Sequence, residues 1–361
     1  MKILIIGNSS SVYVSDFVEH MQKATDAEVN VISPVNGRLV PDKRVVETVF
    51  AANKHFSRRR FVKKSDIYDI CHVHYVNNIA VNLADILPKK CRKIIVSVWG
   101  SDFYRTTDDI KAKQKSLFDV ADYITLANKQ TLDAFDSYFN HKYHEKLRLC
   151  VYGLPALRII RRFMLSKQKC REWLCLPTDT KIVTIGHNAS KIQQHLEVIE
   201  SIRKAGLPEL VHFIVPMTYG SNNEYSIETV ADRLRKAGFS FTILKDFMNP
   251  AEIAILRGAS DIMIQVQTHD VLSGSMLEHL YADNVVITGD WLPYKVLDDN
   301  GIFMLKVSDV SQVGEMLTFA INNYEELCKK NKDSKEFIWG LASWEANLKS
   351  WINLYKGGQL V

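Results

Sequence analysis

The stretch from Asp270 to Glu278 combines small residues with two carboxylates, which suits a ligand that carries both phosphate and hydroxyl groups. It lies between a predicted strand and a predicted helix, so main-chain N–H groups and the positive end of the helix dipole favour a diphosphate there. We expect Asp270 beside the phosphate and Glu278 at the ribose hydroxyls; an ordinary capped helix with a solvated Glu278 is the alternative. The candidate residues are Asp270, Leu272, Ser273, Gly274, Ser275 and Glu278.

A second stretch, Gly186 to Lys191, also follows a predicted strand. Lys191 is a candidate point charge for a leaving diphosphate, and His187 and Asn188 in the same turn are candidates for binding the same ligand. Tyr219 follows the next strand and can stack on a base or a sugar, although a surface turn explains it equally well. Helix-face packing is the more ordinary role for His187.

Two further turns follow strands nearer the amino terminus. Trp99-Gly-Ser-Asp102 closes one strand, and Asp102 can bind an acceptor hydroxyl or remove its proton. Capping of the next helix is the alternative for Asp102. Gly7 and Asn8 follow the first strand, where small residues let the backbone approach an anion or a sugar, or simply form a tight turn. The chain lacks the Gly-x-Gly-x-x-Gly fingerprint of classical dinucleotide-binding folds. It also lacks an Asp-x-Asp motif, so we expect no bound metal.

Buried strands alternate with helices and so place these turns at sheet edges. The first set of predicted strands is Ile3–Ile6, Glu28–Ile32, Ile70–His74, Lys93–Val98, Tyr123–Ala127 and Leu147–Val151. The pattern restarts with Lys181–Ile185, Val211–Val215, Phe241–Leu244, Ile262–Val266 and Val285–Thr288. Continuous apolar strands separated by helices predict doubly wound parallel α/β sheets. Two such domains in tandem predict a ligand cleft at the carboxyl ends of the strands.

The chain of 361 residues, 47% hydrophobic and 24% charged, is long enough for about two globular domains and excludes a disordered or fibrous protein. We expect domains at 1–160 and 161–334. Residues 335–361 form a last helix whose aromatic stripe, from Trp344 to Tyr355, docks on the first domain. The net charge of +5 is too small to indicate nucleic-acid binding.

The segment 43–64 holds eight basic residues, one acid and interleaved apolar residues. Such a segment can lie on an anionic membrane surface, and a solvated basic helix is the alternative. No apolar run reaches the roughly 18 residues that a membrane span requires. Six scattered cysteines without a Cys-x-x-Cys pair favour reduced thiols and a cytoplasmic protein, with peripheral binding at the inner face of the cell membrane.

Taken together, these motifs resemble the GT-B glycosyltransferases of the family-4 type over nearly the whole chain. The resemblance rests on the glycine ending the first strand, Asp69–His74, Trp99–Asp102, Gly186–Lys191, the acid-x7-Glu element Asp270–Glu278 and the Trp344–Trp351 helix. Three details are closest to bacterial transferases of 4-acetamido-4,6-dideoxygalactose: Trp99–Arg105, Gly186–Ser190 with His195, and Tyr219–Tyr225.

The resemblance implies a transferase with two Rossmann-like domains, using a UDP, dTDP or GDP sugar as substrate without a cofactor. It implies a glycan or lipid-linked acceptor in bacterial surface polysaccharide synthesis. The chain departs from the family at Trp99, where a histidine is usual, at Asp270 in place of Glu, and at His187 in place of Arg. Asp102, Lys191 and Asp270 are then the candidate catalytic residues. A nucleotide-sugar epimerase and a non-catalytic nucleotide-sugar-binding protein are the alternatives.

Overall fold

The computed structural model describes residues 1–8, 11–32, 46–47, 67–220 and 225–357. It divides into two compact units, one of Met1–Gly153 with Trp344–Val361 and one of Leu154–Ser343. The first boundary therefore lies before the predicted position at 160, because Leu154 and Leu157 pack in a core cluster of the second unit.

The first unit contains a parallel sheet of seven strands in the order β3-β2-β1-β4-β5-β6-β7. The strands are β1 (Lys2–Ile6), β2 (Glu28–Ile32), β3 (Val46–Glu47), β4 (Tyr68–His74), β5 (Cys91–Ser97), β6 (Tyr123–Leu126) and β7 (Leu147–Leu149). Both faces are covered, since Ile3 and Ile5 belong to one core cluster and Leu4 and Ile6 to another. This double burial explains why β1 is apolar at successive positions.

The second unit contains a parallel sheet of six strands in the order β10-β9-β8-β11-β12-β13. The strands are β8 (Lys181–Ile185), β9 (Val211–Pro216), β10 (Ser240–Leu244), β11 (Ile262–Gln265), β12 (Val285–Gly289) and β13 (Leu305–Val307). The predicted doubly wound α/β class is confirmed. In each sheet the strand order reverses beside its first strand, β1 or β8, and crevices for ligands open at the carboxyl ends of such strands.

Helices connect the strands. In the first unit they are α1 (Val12–Thr25), α2 (Asn78–Val81), α3 (Ser101–Tyr104), α4 (Asp108–Val120), α5 (Lys129–Tyr138) and α16 (Trp344–Lys356). In the second unit they are α6 (Pro155–Phe163), α7 (Lys167–Trp173), α8 (His195–Ala205), α9 (Ile227–Lys236), α10 (Pro250–Ala259), α11 (Gly274–Tyr281), α12 (Lys295–Asp298), α13 (Val313–Asn322), α14 (Tyr324–Leu327) and α15 (Lys335–Ala342). Short 3-10 turns include Lys191–Gln193 and His144–Lys146.

The last helix, α16, belongs to the first unit. Trp351 is fully buried and its Nε1 donates to the carbonyl of Val151 at 2.9 Å. The predicted continuous helix from Lys335 is wrong, because Ser343 adopts an extended conformation and separates α15 from α16. Consequently α15 belongs to the second unit.

Two regions of the sequence analysis lie outside the described residues: the basic segment 43–64, apart from Val46–Glu47, and the stretch 221–224. Among the described helices, none is both long and apolar enough to cross a membrane.

Two glycines inside helices differ in their surroundings and give a matched test of the packing. A Cβ on Gly314, in α13, would lie 2.3 Å from the main-chain oxygen of Ser201, whereas a Cβ on Gly340, in α15, would meet nothing within 4 Å. We expect Gly314→Ala to lower the free energy of unfolding by about 1–3 kcal/mol through overpacking. Gly340→Ala should raise it by about 0.5–1 kcal/mol through helix propensity. Chemical denaturation measures both, and equal effects would contradict the described packing of α13 on α8.

Candidate functional site

The candidate site of the second unit lies where β8 and β11 end. Gly186 follows β8 with φ +63, and a Cβ there would lie 2.8 Å from Oε1 of Gln193, so the turn requires glycine. The main-chain N–H of Thr268, after β11, donates to the carbonyl of Ile192 at 2.9 Å. Nε2 of Gln193 donates to Oε1 of Gln267 at 2.7 Å. These contacts fix the Lys191 turn against the loop that leads into α11.

The turn after β8 brings together three of the predicted residues. His187 Nδ1 lies 3.3 Å from Oε1 of Gln265, at the end of β11. Oδ1 of Asn188 accepts from the N–H of Ser190 at 2.8 Å, and Nδ2 of Asn188 lies 3.5 Å from the Tyr219 hydroxyl. The Tyr219 ring is half exposed. An exposed aromatic ring of this kind can stack on a planar ligand.

Lys191 and His195 have opposite environments although four residues separate them. Lys191 is exposed at the start of a 3-10 turn, as a cation that meets a ligand must be. His195 is fully buried, and its Nδ1 lies 2.9 Å from the Tyr225 hydroxyl. Burial lowers the pKa of His195 to about 3, so this ring is neutral and belongs to the core.

The start of α11 carries hydrogen-bond donors that have no acceptor among the described residues. Oγ of Ser273 accepts from the N–H of Met276 at 3.2 Å, and the carbonyl of Ser273 accepts from Leu277 at 3.0 Å. The N–H groups of Gly274 and Ser275 have no acceptor among the described residues. Oγ of Ser275 is buried and likewise has no partner in the described part of the chain.

Gly274 is required at this helix start because the chain packs closely against it. A Cβ at Gly274 would lie 2.9 Å from Cδ2 of Leu154, the residue that precedes α6. The leucine side chain therefore borders the Cα of Gly274. A larger residue at position 274 would displace either the leucine or the turn.

Asp270 is held in one orientation by two donors. Its Oδ1 accepts from the N–H of Val271 at 2.8 Å, and its Oδ2 accepts from the Tyr294 hydroxyl at 2.5 Å. Burial and the Asp270 charge raise the pKa of Tyr294, so this hydroxyl keeps its proton and remains a donor. The sequence analysis missed Tyr294. The sequence feature that could have indicated a role at the site is its position shortly after β12.

Glu278 is buried in the first turns of α11, so the expected alternative of a solvated side chain is wrong. Nε and Nη2 of Arg257 donate to its Oε2 at 3.1 and 2.9 Å, while its Oε1 has no partner among the described residues. Burial raises the pKa of Glu278, and the Arg257 charge opposes that rise. Arg257 was also missed, although a single arginine inside the apolar helix α10 was a usable signal.

Asp102 lies in the first unit, and both oxygens of its carboxylate accept from main-chain N–H groups, which does not favour the expected contact with an acceptor. It is 1% exposed. Its two oxygens accept from the N–H groups of Val76 and Trp99, each at 2.8 Å. The carboxylate thus joins the turns after β4 and β5. This is close to the capping alternative, since Asp102 stands in the first turn of α3.

Gly7 and Asn8 also lie in the first unit, after β1. The N–H of Gly7 donates to the carbonyl of Ile32 at 3.0 Å, and a Cβ on Gly7 would lie 3.0 Å from Cβ of His74. Asn8 is exposed, and its carbonyl accepts from the N–H of Ser11 at 2.9 Å. The turn is compact, and its ligand-binding role stays a prediction.

Aromatic side chains gather at the carboxyl edge of the first sheet. Trp99 contacts Tyr13 edge-on with 5.7 Å between ring centres, Tyr75 edge-on at 6.3 Å and Tyr152 at 5.4 Å. The hydroxyl of Tyr152 lies 3.1 Å from Nδ1 of His74. We call Tyr13, Tyr75, Trp99 and Tyr152 the aromatic group. Tyr13 and Tyr75 are more than one-third exposed, so the group presents ring surface to solvent.

Comparison with known proteins identifies structures with a similar fold. A family model described as "Glycosyl transferase 4-like" matches residues 2–129. No curated protein matches the chain. Among solved structures, the Anabaena protein HepE in complex with UDP and glucose is 13% identical, with 99% of this chain and 100% of that chain covered and a TM-score of 0.79.

Two more solved structures agree with this result. Sucrose-phosphate synthase from Thermosynechococcus elongatus is 14% identical, with 99% of this chain and 98% of that chain covered and a TM-score of 0.74. A glycosyltransferase from Rickettsia africae is 15% identical over the same shares, with a TM-score of 0.75. The chain therefore has the two-sheet glycosyltransferase fold known as GT-B.

The buried Asp102 predicts a characteristic pH dependence. Burial raises its pKa from 3.8 to about 6, although main-chain N–H groups oppose the rise. The folded state then binds this proton more tightly than the unfolded chain, so stability falls as pH rises through this window. Relative to Asp102→Asn, the wild-type protein should lose about 2 kcal/mol of unfolding free energy between pH 3.8 and 6, and about 3 kcal/mol over the whole titration.

The measurement is chemical denaturation of both proteins at several pH values. The Asp102→Asn variant is the control for the wild type, because every other titrating group is common to the two proteins. A difference that stays flat or grows in favour of the wild type would contradict the raised pKa.

Proposed function

We propose that the chain is a glycosyltransferase that moves a sugar from a nucleoside diphosphate to a glycan or lipid-linked acceptor. The observation that supports this most directly is the set of unsatisfied donors at the start of α11. The N–H groups of Gly274 and Ser275 and the buried Ser275 hydroxyl have no partner among the described residues. A diphosphate would accept from all three while it gains from the helix dipole.

Cleavage of the sugar–phosphate bond leaves extra negative charge on the diphosphate, and this charge must be stabilised. Fixed N–H dipoles and a nearby cation do so without reorganisation during the reaction. Lys191 is the cation we assign, because its turn is bonded to the loop before α11 through Ile192 and Thr268. On this proposal the main chain and Lys191 perform the task that a metal performs in other transferases.

The two carboxylates bind the sugar portions of the donor. Asp270, held by Tyr294 and the Val271 amide, keeps lone pairs for a hydroxyl of the transferred sugar. Glu278 keeps its Oε1 for the ribose hydroxyls, since Arg257 binds only Oε2. Tyr219 offers its half-exposed ring to the base. We regard Tyr294 and Arg257 as positioning residues, because each acts through a carboxylate.

The first unit supplies the acceptor side of the proposal. Sugar rings pack their C–H faces on aromatic rings, and the aromatic group presents such rings at the carboxyl edge of the first sheet. Asp102 is assigned a positioning role, because it fixes the turn that carries Trp99. We do not assign proton removal to it.

The biological setting is inferred from the sequence. A glycan or lipid-linked acceptor in bacterial surface polysaccharide synthesis, with the basic segment 43–64 on a cytoplasmic membrane surface, fits the resemblance described above. UDP, dTDP and GDP remain the candidate nucleotides, and a 4-acetamido-4,6-dideoxygalactose donor belongs in any panel. UDP is the first nucleotide to test, because the similar structure of HepE contains it.

Nucleotide binding provides the first test. Ser275→Asp places a carboxylate in the first helical turn, which the helix dipole tolerates or favours, but which repels a diphosphate. We expect UDP, or whichever of the three nucleotides binds, to bind at least about tenfold more weakly, equivalent to about 1.4 kcal/mol. Ser275→Asn is the control, because it has a similar size and no charge. Titration calorimetry measures both, and equal binding by the two variants would contradict the proposed phosphate position.

Turnover provides the second test. Wild-type protein with a panel of nucleotide sugars and lipid-linked acceptors should release the nucleoside diphosphate only when a matching pair is present. Lys191→Gln should lower kcat, because the cation stabilises the leaving group. Lys295→Gln, which changes a lysine paired to Asp299 on the exposed surface of α12, is the control. Isomerised donor without acceptor would support an epimerase instead, and binding without product a non-catalytic protein.

A further inference from the structure

A cluster of three potential metal ligands lies in the first unit, away from every residue discussed so far. It consists of Asp136, His141 and His144, which we call the Asp-His-His cluster. Their donor atoms lie within 4.8 Å of one another. Nδ1 of His141 lies 2.9 Å from Oδ2 of Asp136, and Nδ1 of His144 lies 2.7 Å from the same oxygen. Two imidazoles thus converge on one carboxylate oxygen.

The turn that carries the cluster is fixed by its own backbone and by the core. The N–H of His141 donates to the carbonyl of Asp136 at 2.9 Å, and the N–H of His144 donates to that of His141 at 3.2 Å. Phe139 and Tyr143 alternate with the histidines and are buried. A ligand set held in this way needs little ordering when an ion binds.

The electrostatics of Asp136 favour a cation. Its side chain is more than nine-tenths buried, and its Oδ1 is buried without a partner among the described residues. A buried carboxylate is costly unless a charge compensates it. In the described part of the chain its ion-pair partners are the two histidines. A divalent ion would supply the missing charge.

We propose that the Asp-His-His cluster binds a divalent transition-metal ion, with Zn²⁺ as the best match. Two imidazole nitrogens and one carboxylate oxygen are a common zinc donor set. Tetrahedral zinc places its ligand atoms about 3.3 Å apart. The contacts of 2.7 and 2.9 Å to Asp136 therefore open by about half an ångström, while the two imidazole nitrogens, which lie within 4.8 Å of each other, come to the same separation. Both histidine side chains are about two-thirds exposed, so they can move, and water can take the fourth position.

The position of the cluster indicates a structural role for the ion. Asp136 lies in the last turn of α5, and His144 begins the 3-10 turn that leads directly into β7. The cluster is therefore at the amino ends of the parallel strands, whereas ligands of such sheets bind at the carboxyl ends. A bound ion would fasten the end of α5 to the start of β7 and stabilise the first unit.

The test uses the full chain after treatment with a chelator, titrated with ZnCl₂. We expect one zinc ion per chain by calorimetry and a thermal midpoint that rises with the logarithm of the zinc concentration. His144→Ala and Asp136→Asn should each abolish this rise. Glu145→Gln is the matched control, since it removes a neighbouring acid that is not among the three donors.

We expect the His144→Ala variant to fold, because His144 is exposed and its truncation leaves no cavity in the core. Absence of zinc binding by the wild type would overturn the proposal. So would binding that survives His144→Ala, which would place the ion elsewhere, for example at the exposed thiol of Cys175. Turnover of any donor should be the same in the wild type and the His144 variant, so this test is independent of the transferase proposal.

Discussion

Two main-chain amides that α11 cannot satisfy are the physical feature on which the proposed site depends. Every helix begins with N–H groups that lack an intrahelical acceptor. In α11 the cap residue Ser273 accepts hydrogen bonds from the N–H groups of Met276 and Leu277. The N–H groups of Gly274 and Ser275 have no acceptor among the described residues. Leu154 packs closely against Gly274 at this turn. Donors that are in place before a ligand binds provide the preorganisation that charge stabilisation requires.

Two buried ion pairs of the second unit illustrate the difference between a structural and a functional carboxylate. Asp261 uses both oxygens within the protein: Oδ1 accepts from Lys167 at 2.6 Å, and Oδ2 accepts from Arg171 and from the N–H of Ile182. Glu278 is equally buried, but Arg257 occupies only one of its oxygens. Oε1 of Glu278 is therefore the oxygen that is available to a ligand.

The sequence predicted the sheets better than the side-chain environments. Strands such as β1 and β8 are apolar at successive positions, so their burial on both faces was readable, and the glycine after each strand marked the turn. The short strand β13 was missed, because three residues give too little periodicity. The break at Ser343 was missed because the apolar pattern of α15 continues into α16, and the nearest glycine, Gly340, lies inside α15 instead of at the break.

The strand and helix positions of the candidate site residues could be predicted, but their hydrogen-bond partners could not. Ser273, Gly274 and Ser275 were recognisable from residue type and from a strand before and a helix after them. The partners of Asp102 were not predicted, because nothing local shows that the amides of Val76 and Trp99 would bind its carboxylate. Arg257 and Tyr294 lie 21 and 24 residues from the carboxylates they bind, and such contacts depend on tertiary packing.

The most direct measurement of the central claim is the amide NMR spectrum of protein labelled with ¹⁵N-glycine, recorded while UDP or another binding nucleotide is added. A phosphate oxygen that accepts from an N–H group moves that resonance strongly. The account predicts a large shift for Gly274 and none for Gly238 or Gly301, which follow α9 and α12 elsewhere in the same unit. Nucleotide binding that leaves the Gly274 resonance in place would contradict it.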